Sequence, residues 1–317
     1  MSEKVSFPIT RPITVLIGPT AIGKTALSIE LAQQFDFEII SVDSMQVYRH
    51  MDIGTAKITK DEMMGIPHHL IGVVNPDEPF DAGKFEKLSL TAIEEIIEKG
   101  KNVLLTGGTG LYLKALINGL SVQIPAFPEI RKEINNELTD KGRNVLHEQL
   151  MSVDCISAKR IHKNDTHRLI RALEIFKGTG EKWSSLIAEH KKQREIRFPN
   201  LYIIGLTCGR DKLYSRIEKR SQIMLQNGLQ QEVEQLINTG YNPDLKSMQS
   251  IGYHHMVKML KGEWTKQEMI GFLARDTKRY AKRQFTWFKK IEGISWFDIN
   301  DTTRIPDEVQ RFLSALI

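Results

Sequence analysis

The chain is poor in cysteine: its 317 residues include two, Cys155 and Cys208, which form no C-x-x-C pair. That number and spacing support neither a disulfide framework nor a cysteine-built zinc site. Apolar runs long enough to cross a bilayer are missing too, and the opening MSEKVSFPITRP lacks the apolar stretch of a secretory signal. A cytoplasmic protein without a membrane partner is the expectation. There is no internal repeat and no low-complexity tract. Acidic residues are outnumbered, 39 against 44 Lys and Arg, for a formal net charge of +5 and a pI near 9.0. Such a balance permits a nucleic-acid partner without demanding one.

What is present belongs to a globular chain, with 41% hydrophobic and 26% charged residues. The length suggests one large domain carrying an insertion, or two domains. The strongest signal is ITVLIGPTAIGKT at 13–25, in which an apolar run flows into Gly18-x-x-x-x-Gly23-Lys24-Thr25. Ile13 to Ile17 reads as a buried strand and Lys24 to Phe35 as a helix, so the glycine-rich segment joins strand to helix as a phosphate loop requires. Amides of Gly18, Pro19 excepted, through Thr20, Ala21, Ile22 and Gly23 would face one anion together with the helix N-terminus. Lys24 would neutralise phosphate charge, and the Thr25 hydroxyl would hold Mg2+ on the phosphate oxygens. Most such loops hold ATP or GTP, but any diphosphate ester offers the same oxygens.

A second strand is expected at 38–42, followed at once by Asp43. A carboxylate there lies at the carboxyl edge of a parallel sheet, where such folds place their chemistry. Asp43 is accordingly a candidate general base, with a turn-forming or capping aspartate as the alternative. His68-His69 form no convincing metal pair, because adjacent side chains point in different directions on a strand or helix. A helix is expected over Asp81 to Lys99, a third strand over Asn102 to Thr106, and a fourth over Leu201 to Thr207. After the third strand, Gly107-Gly108-Thr109-Gly110 is either a second ligand-lining loop or a tight connection.

Between Ser121 and Arg197 the pattern turns helical, without a convincing strand. The organisation expected is a P-loop NTPase-like α/β core, a parallel sheet flanked by helices, over 1–121 and 198–317, with a helical insertion domain over 122–197. Within the insertion, Arg168, Arg171 and Glu174 share one helix face, an arrangement that also suits a self-satisfied salt-bridge set. Arg216 and Arg220, four residues apart, could present guanidinium forks to phosphate oxygens. RDTKRYAKRQFTWFKK at 275–290 sets seven Lys or Arg against one Asp, with Arg279, Lys282 and Arg283 as an outward stripe suited to a phosphate backbone.

GPTAIGKT, DSMQVYR at 43–49, MDIGTAK, PHHLI, GGTGLY at 107–112, NDTHRLIRALE and RYAKRQFTWF, in this order over nearly the whole chain, resemble the tRNA dimethylallyltransferase family. The resemblance implies transfer of a five-carbon prenyl group from dimethylallyl diphosphate to the exocyclic amine of an adenine in the anticodon loop of tRNA, with Mg2+ and a monomeric enzyme. It further implies that residues 18 to 25 hold the diphosphate, whose departure needs its charge neutralised, which Lys24, Thr25 with Mg2+, and Arg216 or Arg220 can do. Asp43 would be the base, Ser44, Met45 and Gln46 would line the adenine site with Thr109 beside it, and Arg131, His167, Arg168, Arg171, Arg283 and Gln284 would contact tRNA. The chain departs from the family pattern at Gly72, where Asp is usual, and at His254-His255, where IGY usually continues toward Glu.

Overall fold

The computed structural model describes residues 7–120, 124–193 and 195–315. Two compact units appear, one comprising Met1–Ile117 with Ile196–Ile317, the other Asn118–Glu195. The first is built on a six-stranded sheet in which every pairing is parallel. Its strands are β1 (Ile13–Ile17), β2 (Phe37–Val42), β3 (His68–His69), β4 (Asn102–Gly107), β5 (Leu201–Thr207) and β6 (Ile294–Asp298), in the order β3-β2-β4-β1-β5-β6. This is the expected P-loop NTPase-like α/β architecture. The helices of this unit are α1 (Lys24–Phe35), α2 (Ala82–Glu98), α3 (Gly110–Asn118), α8 (Arg210–Gln226), α9 (Leu229–Asn238), α10 (Tyr253–Leu260), α11 (Lys266–Phe288) and α12 (Ile305–Ser314).

Why these strands read as unbroken apolar runs follows from burial on both faces. Ile13, Val15 and Ile17 of β1 point into one core with Ile40, Val42, Val103 and Leu105, whereas Leu16 joins Ile39, Leu104 and Ile204 in the other. The alternation is the two-residue period of a strand. The helix expected from Asp81 begins one residue later, because Asp81 is its cap: its Oδ1 accepts from the Gly83 and Lys84 amides, both at 2.9 Å. Two strands were not anticipated. β3 is two residues long, too short to carry a period, and β6, ISWFD, is an edge strand of half-buried residues and one exposed residue.

The second unit contains α4 (Pro128–Val153), α5 (Cys155–Arg160), α6 (Thr166–Thr179) and α7 (Trp183–Gln193). It has its own core, with Ile134, Leu146 and Leu150 of α4 against Leu169 and Leu173 of α6. α4 is interrupted at Gly142, whose φ of 79° and ψ of 168° leave the helical region. Among the described residues no helix is long and apolar enough to cross a membrane.

Candidate active site at the carboxyl edge of the sheet

β1 occupies the middle of the sheet, and the loop that leaves its carboxyl end runs into α1. That loop is braced from three directions. The Lys24 ammonium donates to the carbonyls of Gly18 (2.9 Å) and Pro19 (3.0 Å), folding back over the loop. From α8, the Arg216 Nε donates to the Ala21 carbonyl at 2.7 Å and Arg220 reaches the Thr20 hydroxyl. The third brace is Gln284 of α11, whose Oε1 accepts the Thr20 amide at 2.8 Å. Burial lowers the Lys24 pKa to about 8, the cation of Arg220 pushes the same way, and the carboxylate of Asp43 opposes both.

A cavity of about 480 Å³ opens beside the loop, within the range usual for small-molecule sites. Thr20 to Thr25 form one side of it; Asp43, Gln46, Thr55, Ala56, Gly107 and Gly108 form the other, with Arg216, Lys219, Arg220, Tyr280 and Gln284 closing it. Asp43 leaves the end of β2 and does two things there. Its Oδ1 accepts the amides of Met45 (2.8 Å) and Gln46 (3.2 Å), an Asx turn that holds the carboxylate in place. Both bonds fall on Oδ1 of a carboxylate that lines the cavity, so Oδ2 is the oxygen offered to a ligand. The turn-forming and the chemical readings of this residue are thus compatible.

The glycine loop after β4 combines both of its possible readings. Gly107 and Gly108 line the cavity, and a Cβ on Gly108 would lie 2.2 Å from the Gln284 Nε2. That amide donates to the Gly108 carbonyl at 2.9 Å, so Gln284, only 5% exposed, ties the phosphate loop to the β4 loop with both ends engaged. Removing it strands one donor and one acceptor in a buried place. Gln284→Leu is expected to lower stability by about 1–3 kcal/mol, read as a lower urea midpoint at unchanged slope; an unchanged midpoint would show that the tie is dispensable. Thr109 sits at the same corner, its Oγ1 accepting the Ser44 amide at 3.0 Å. Tyr280 shares Thr109 and Gln284 as polar neighbours, and burial, followed by the nearby Asp43 charge, raises its phenol pKa.

About three-quarters of the chain separates the phosphate loop from α11, yet Lys24, Asp43, Gln46, Arg216, Arg220 and Gln284 meet around one cavity. Ser44, Met45, Thr109 and Arg283 flank it without contributing to its lining. Gly18 and Pro19, at the start of the loop, are likewise outside the lining, and the remaining sequence candidates belong to the second unit. There Glu174 is fully buried and accepts from Arg131 at 2.6 Å and from the Phe127 amide at 2.8 Å, with Arg171 3.1 Å away. Arg171 also donates to the Ile124 and Pro125 carbonyls, so much of its donor capacity is spent internally. His167 and Arg168 are exposed, Arg168 holding only a 3.5 Å pair with Asp165. Arg279, Lys282 and Arg283 likewise face outward on α11. Tyr280, Lys219 and the wall residues Thr55 and Ala56 escaped sequence reasoning, and only the composition of MDIGTAK could have hinted at the last two.

The two histidine pairs differ. His69 meets Glu38 at 2.7 Å while the His68 Nδ1 lies 2.8 Å from the Ile66 carbonyl, the divergence expected on a strand. His254, His255 and Asp276 bring three ligand-type atoms within 4.8 Å of one another, but Arg275 and Arg279, at 3.0 and 3.1 Å, already balance the Asp276 carboxylate. His255 is 0% exposed, its ring 3.8 Å from that of His254 at a tilt of 40° and 3.3 Å from Asp276. Burial first, then His254, push its pKa down to about 4 against the pull of Asp276. Because the folded value lies below the ordinary one, the unfolded chain takes up this proton first as pH falls. Stability contributed here is complete above about pH 6.5 and is lost toward pH 4, by about 3 kcal/mol at most. Urea midpoints across that interval should fall with pH, and the slope should flatten in His255→Gln; an identical slope in the variant would assign the effect to other groups.

An all-parallel sheet with a lysine-bearing phosphate loop at its central strand, and a carboxylate facing that loop across a cavity, defines a P-loop-type α/β protein. A profile of the family described as IPP transferase matches residues 46–291, and the chain belongs to that family. It is 50% identical over 305 residues to the tRNA dimethylallyltransferase of Desulfotalea psychrophila, covering 96% of each chain. It is 46% identical to that of Clostridioides difficile, covering 93% of this chain and 94% of the relative. Among solved structures, the full-length tRNA isopentenylpyrophosphate transferase of Bacillus halodurans superimposes with a TM-score of 0.71 at 40% identity, over 97% of this chain and 98% of that one. A eukaryotic dimethylallyltransferase described as acting on tRNA gives a TM-score of 0.80 at 30% identity, over 96% and 80%.

Proposed function

We propose that this chain is a tRNA dimethylallyltransferase. It moves the dimethylallyl group of dimethylallyl diphosphate to the N6 amine of adenine 37, next to the anticodon on its 3′ side, in tRNAs that read codons beginning with U. The observation that carries this reading is the shared cavity: Asp43 stands across from the Lys24 loop, close enough for its charge to act on the lysine. One group can therefore receive a proton while the other receives a leaving diphosphate. The names of the relatives support the same assignment.

An adenine stacked in an anticodon loop is unreachable, so it has to be turned out into the cavity. There the Asp43 Oδ2 accepts a proton from N6 as the new N6–carbon bond forms. The bond between the prenyl carbon and the diphosphate oxygen breaks, and the electron pair leaves with the diphosphate. Lys24, Arg216, Arg220 and the backbone N–H groups of the loop over 18–25, which has none at Pro19 and has that of Thr20 engaged by Gln284, take up that charge. Ile39, Ile58 and Ile71 give the cavity an apolar wall suited to a five-carbon tail. The Thr25 side chain, exposed at the start of α1, offers the hard oxygen donor that Mg2+ takes. With Thr25 and the diphosphate oxygens as its ligands, the ion would supply further charge neutralisation. The exposed Arg279, Lys282 and Arg283 supply phosphate-backbone contacts for tRNA, as do His167 and Arg168 on the second unit. We assign the protein to the cytoplasm, as a monomer.

The deciding experiment incubates the purified chain with unmodified tRNA, Mg2+ and radiolabelled dimethylallyl diphosphate. Label recovered as N6-(dimethylallyl)adenosine supports the assignment. Absence of label from tRNA, with ATP consumed on some small alcohol or nucleotide instead, would replace it with a kinase.

A further inference from the structure

Glu232 of α9 lies outside the cavity, and neither the phosphate loop nor Asp43 gives it a role. Its Oε2 accepts the amides of Asp52 (2.8 Å) and Ile53 (2.7 Å), and its Oε1 accepts the amide of Gly54 (3.0 Å). Three successive backbone N–H groups converging on one carboxylate form an anion nest, and each bond is strengthened by the charge. A fourth donor completes the set: the Tyr253 hydroxyl reaches Oε1 at 2.6 Å. Tyr253 is 0% exposed, and burial together with the Glu232 charge raises its pKa well above the ordinary value, so the phenol keeps its proton and remains a donor. Its ring also closes the space over residue 54, where a Cβ would come within 2.4 Å of the ring edge. Only glycine fits there.

The next two residues enter the cavity wall. The carbonyls of Thr55 (3.5 Å) and Ala56 (3.2 Å) face the Gln46 Nε2, and the Gln46 Oε1 accepts from the Ser41 hydroxyl at 3.2 Å. Those contacts settle which end of the Gln46 amide faces which way. The same residue gives its backbone N–H to Asp43. A continuous path of contacts thus runs from Tyr253 through Glu232, the 52–54 amides and the Thr55 and Ala56 carbonyls to Gln46, which is itself bonded to the proposed base.

We propose that Glu232, braced by Tyr253, is a positioning residue: it fixes the 52–56 segment, thereby the Gln46 amide, and so the placement of the acceptor base against Asp43. This rests on the transfer reading given above. A carboxylate is required because every group facing it is a donor. The amide of Glu232→Gln would turn an NH2 toward at least one N–H, releasing the segment with little change in volume.

Two measurements test it. The first is amide hydrogen exchange at residues 52 to 54 in the full chain, which needs no assumption about activity. Glu232→Gln should exchange there about tenfold faster or more, with protection in β1 and β4 unchanged. Unaltered exchange overturns the brace whatever the chain catalyses. The second is steady-state transfer to tRNA. Glu232→Gln should lower kcat/KM for tRNA roughly 10–100-fold, the scale of a small misplacement of reacting groups, while KM for dimethylallyl diphosphate stays put. In a Gln46→Ala background the same change should add little further loss, since the two residues act in series. Additive losses, or a raised KM for the diphosphate, overturn the positioning role and leave the transferase assignment standing. A wild type that transfers nothing overturns the assignment, and with it the positioning role, and leaves the exchange data to judge the brace alone. Tyr253→Phe, which removes one donor and keeps the ring over Gly54, should move both readouts the same way by less; it carries the test if Glu232→Gln does not fold.

Discussion

Asp43→Asn is expected to lower kcat for prenyl transfer about 10²–10⁴-fold, the usual worth of a positioned general base. The side chain keeps its shape, and the amide oxygen can still accept the Met45 and Gln46 N–H groups that now bind Oδ1. Folding should therefore survive, with the thermal midpoint near that of the wild type and KM for both substrates little changed. A loss of kcat without a loss of stability is the signature of a group whose work is done in the transition state. The substitution has a second consequence. Asp43 raises the pKa of Lys24, which burial and Arg220 lower. With the carboxylate neutralised, Lys24 should lose its proton at a lower pH than in the wild type. Single-turnover transfer measured across a pH series reads both effects, and a variant that retains most of the wild-type kcat would remove Asp43 from the chemistry.

Lys24→Met is expected to cut kcat/KM for dimethylallyl diphosphate about 10²–10³-fold, the scale for loss of one preorganised donor to developing negative charge. The cation sits against the carbonyls of Gly18 and Pro19, within the same loop whose amides face the diphosphate in the proposed complex. Its pKa of about 8 makes a pH test available. Lys24 is cationic below that value and neutral above it, so wild-type kcat/KM for the diphosphate should fall as pH rises through about 8. The fall belongs to the free enzyme, because bound diphosphate favours the protonated lysine. In Lys24→Met this limb should vanish. A limb that persists unchanged in the variant would place the titration on another group and weaken the case for Lys24 as the charge that meets the leaving group.

How much could be read in advance follows from where the partners of each residue lie along the chain. The phosphate loop was legible because strand, glycines, lysine and helix are contiguous, and each needs its residue type at a fixed offset. The four strands expected from apolar runs all form, since both sheet faces are buried and their periodicity is suppressed in favour of continuous hydrophobicity. Two residues at β3 and the half-exposed edge β6 carry no such signal. Asp43 could be nominated from its place after a strand, but its turn role and its chemical availability separate only when one oxygen is seen holding two amides.

The contacts that complete the site are of another kind. Gln284 meets Thr20 across 264 positions, and Glu232 meets Asp52 across 180. Neither pairing leaves a local pattern, because a side-chain amide or carboxylate looks the same on any helix until a distant backbone arrives beside it. Arg171 shows the converse: its spacing suits an RNA contact or a salt bridge equally well, and the buried Glu174 takes it into the second. By itself the sequence determined a parallel α/β core with a phosphate loop, a helical insertion and a candidate base, all of them encoded by residues near one another in the chain. Tertiary structure alone decided which polar side chains hold that loop and that base in place, since packing chooses their partners.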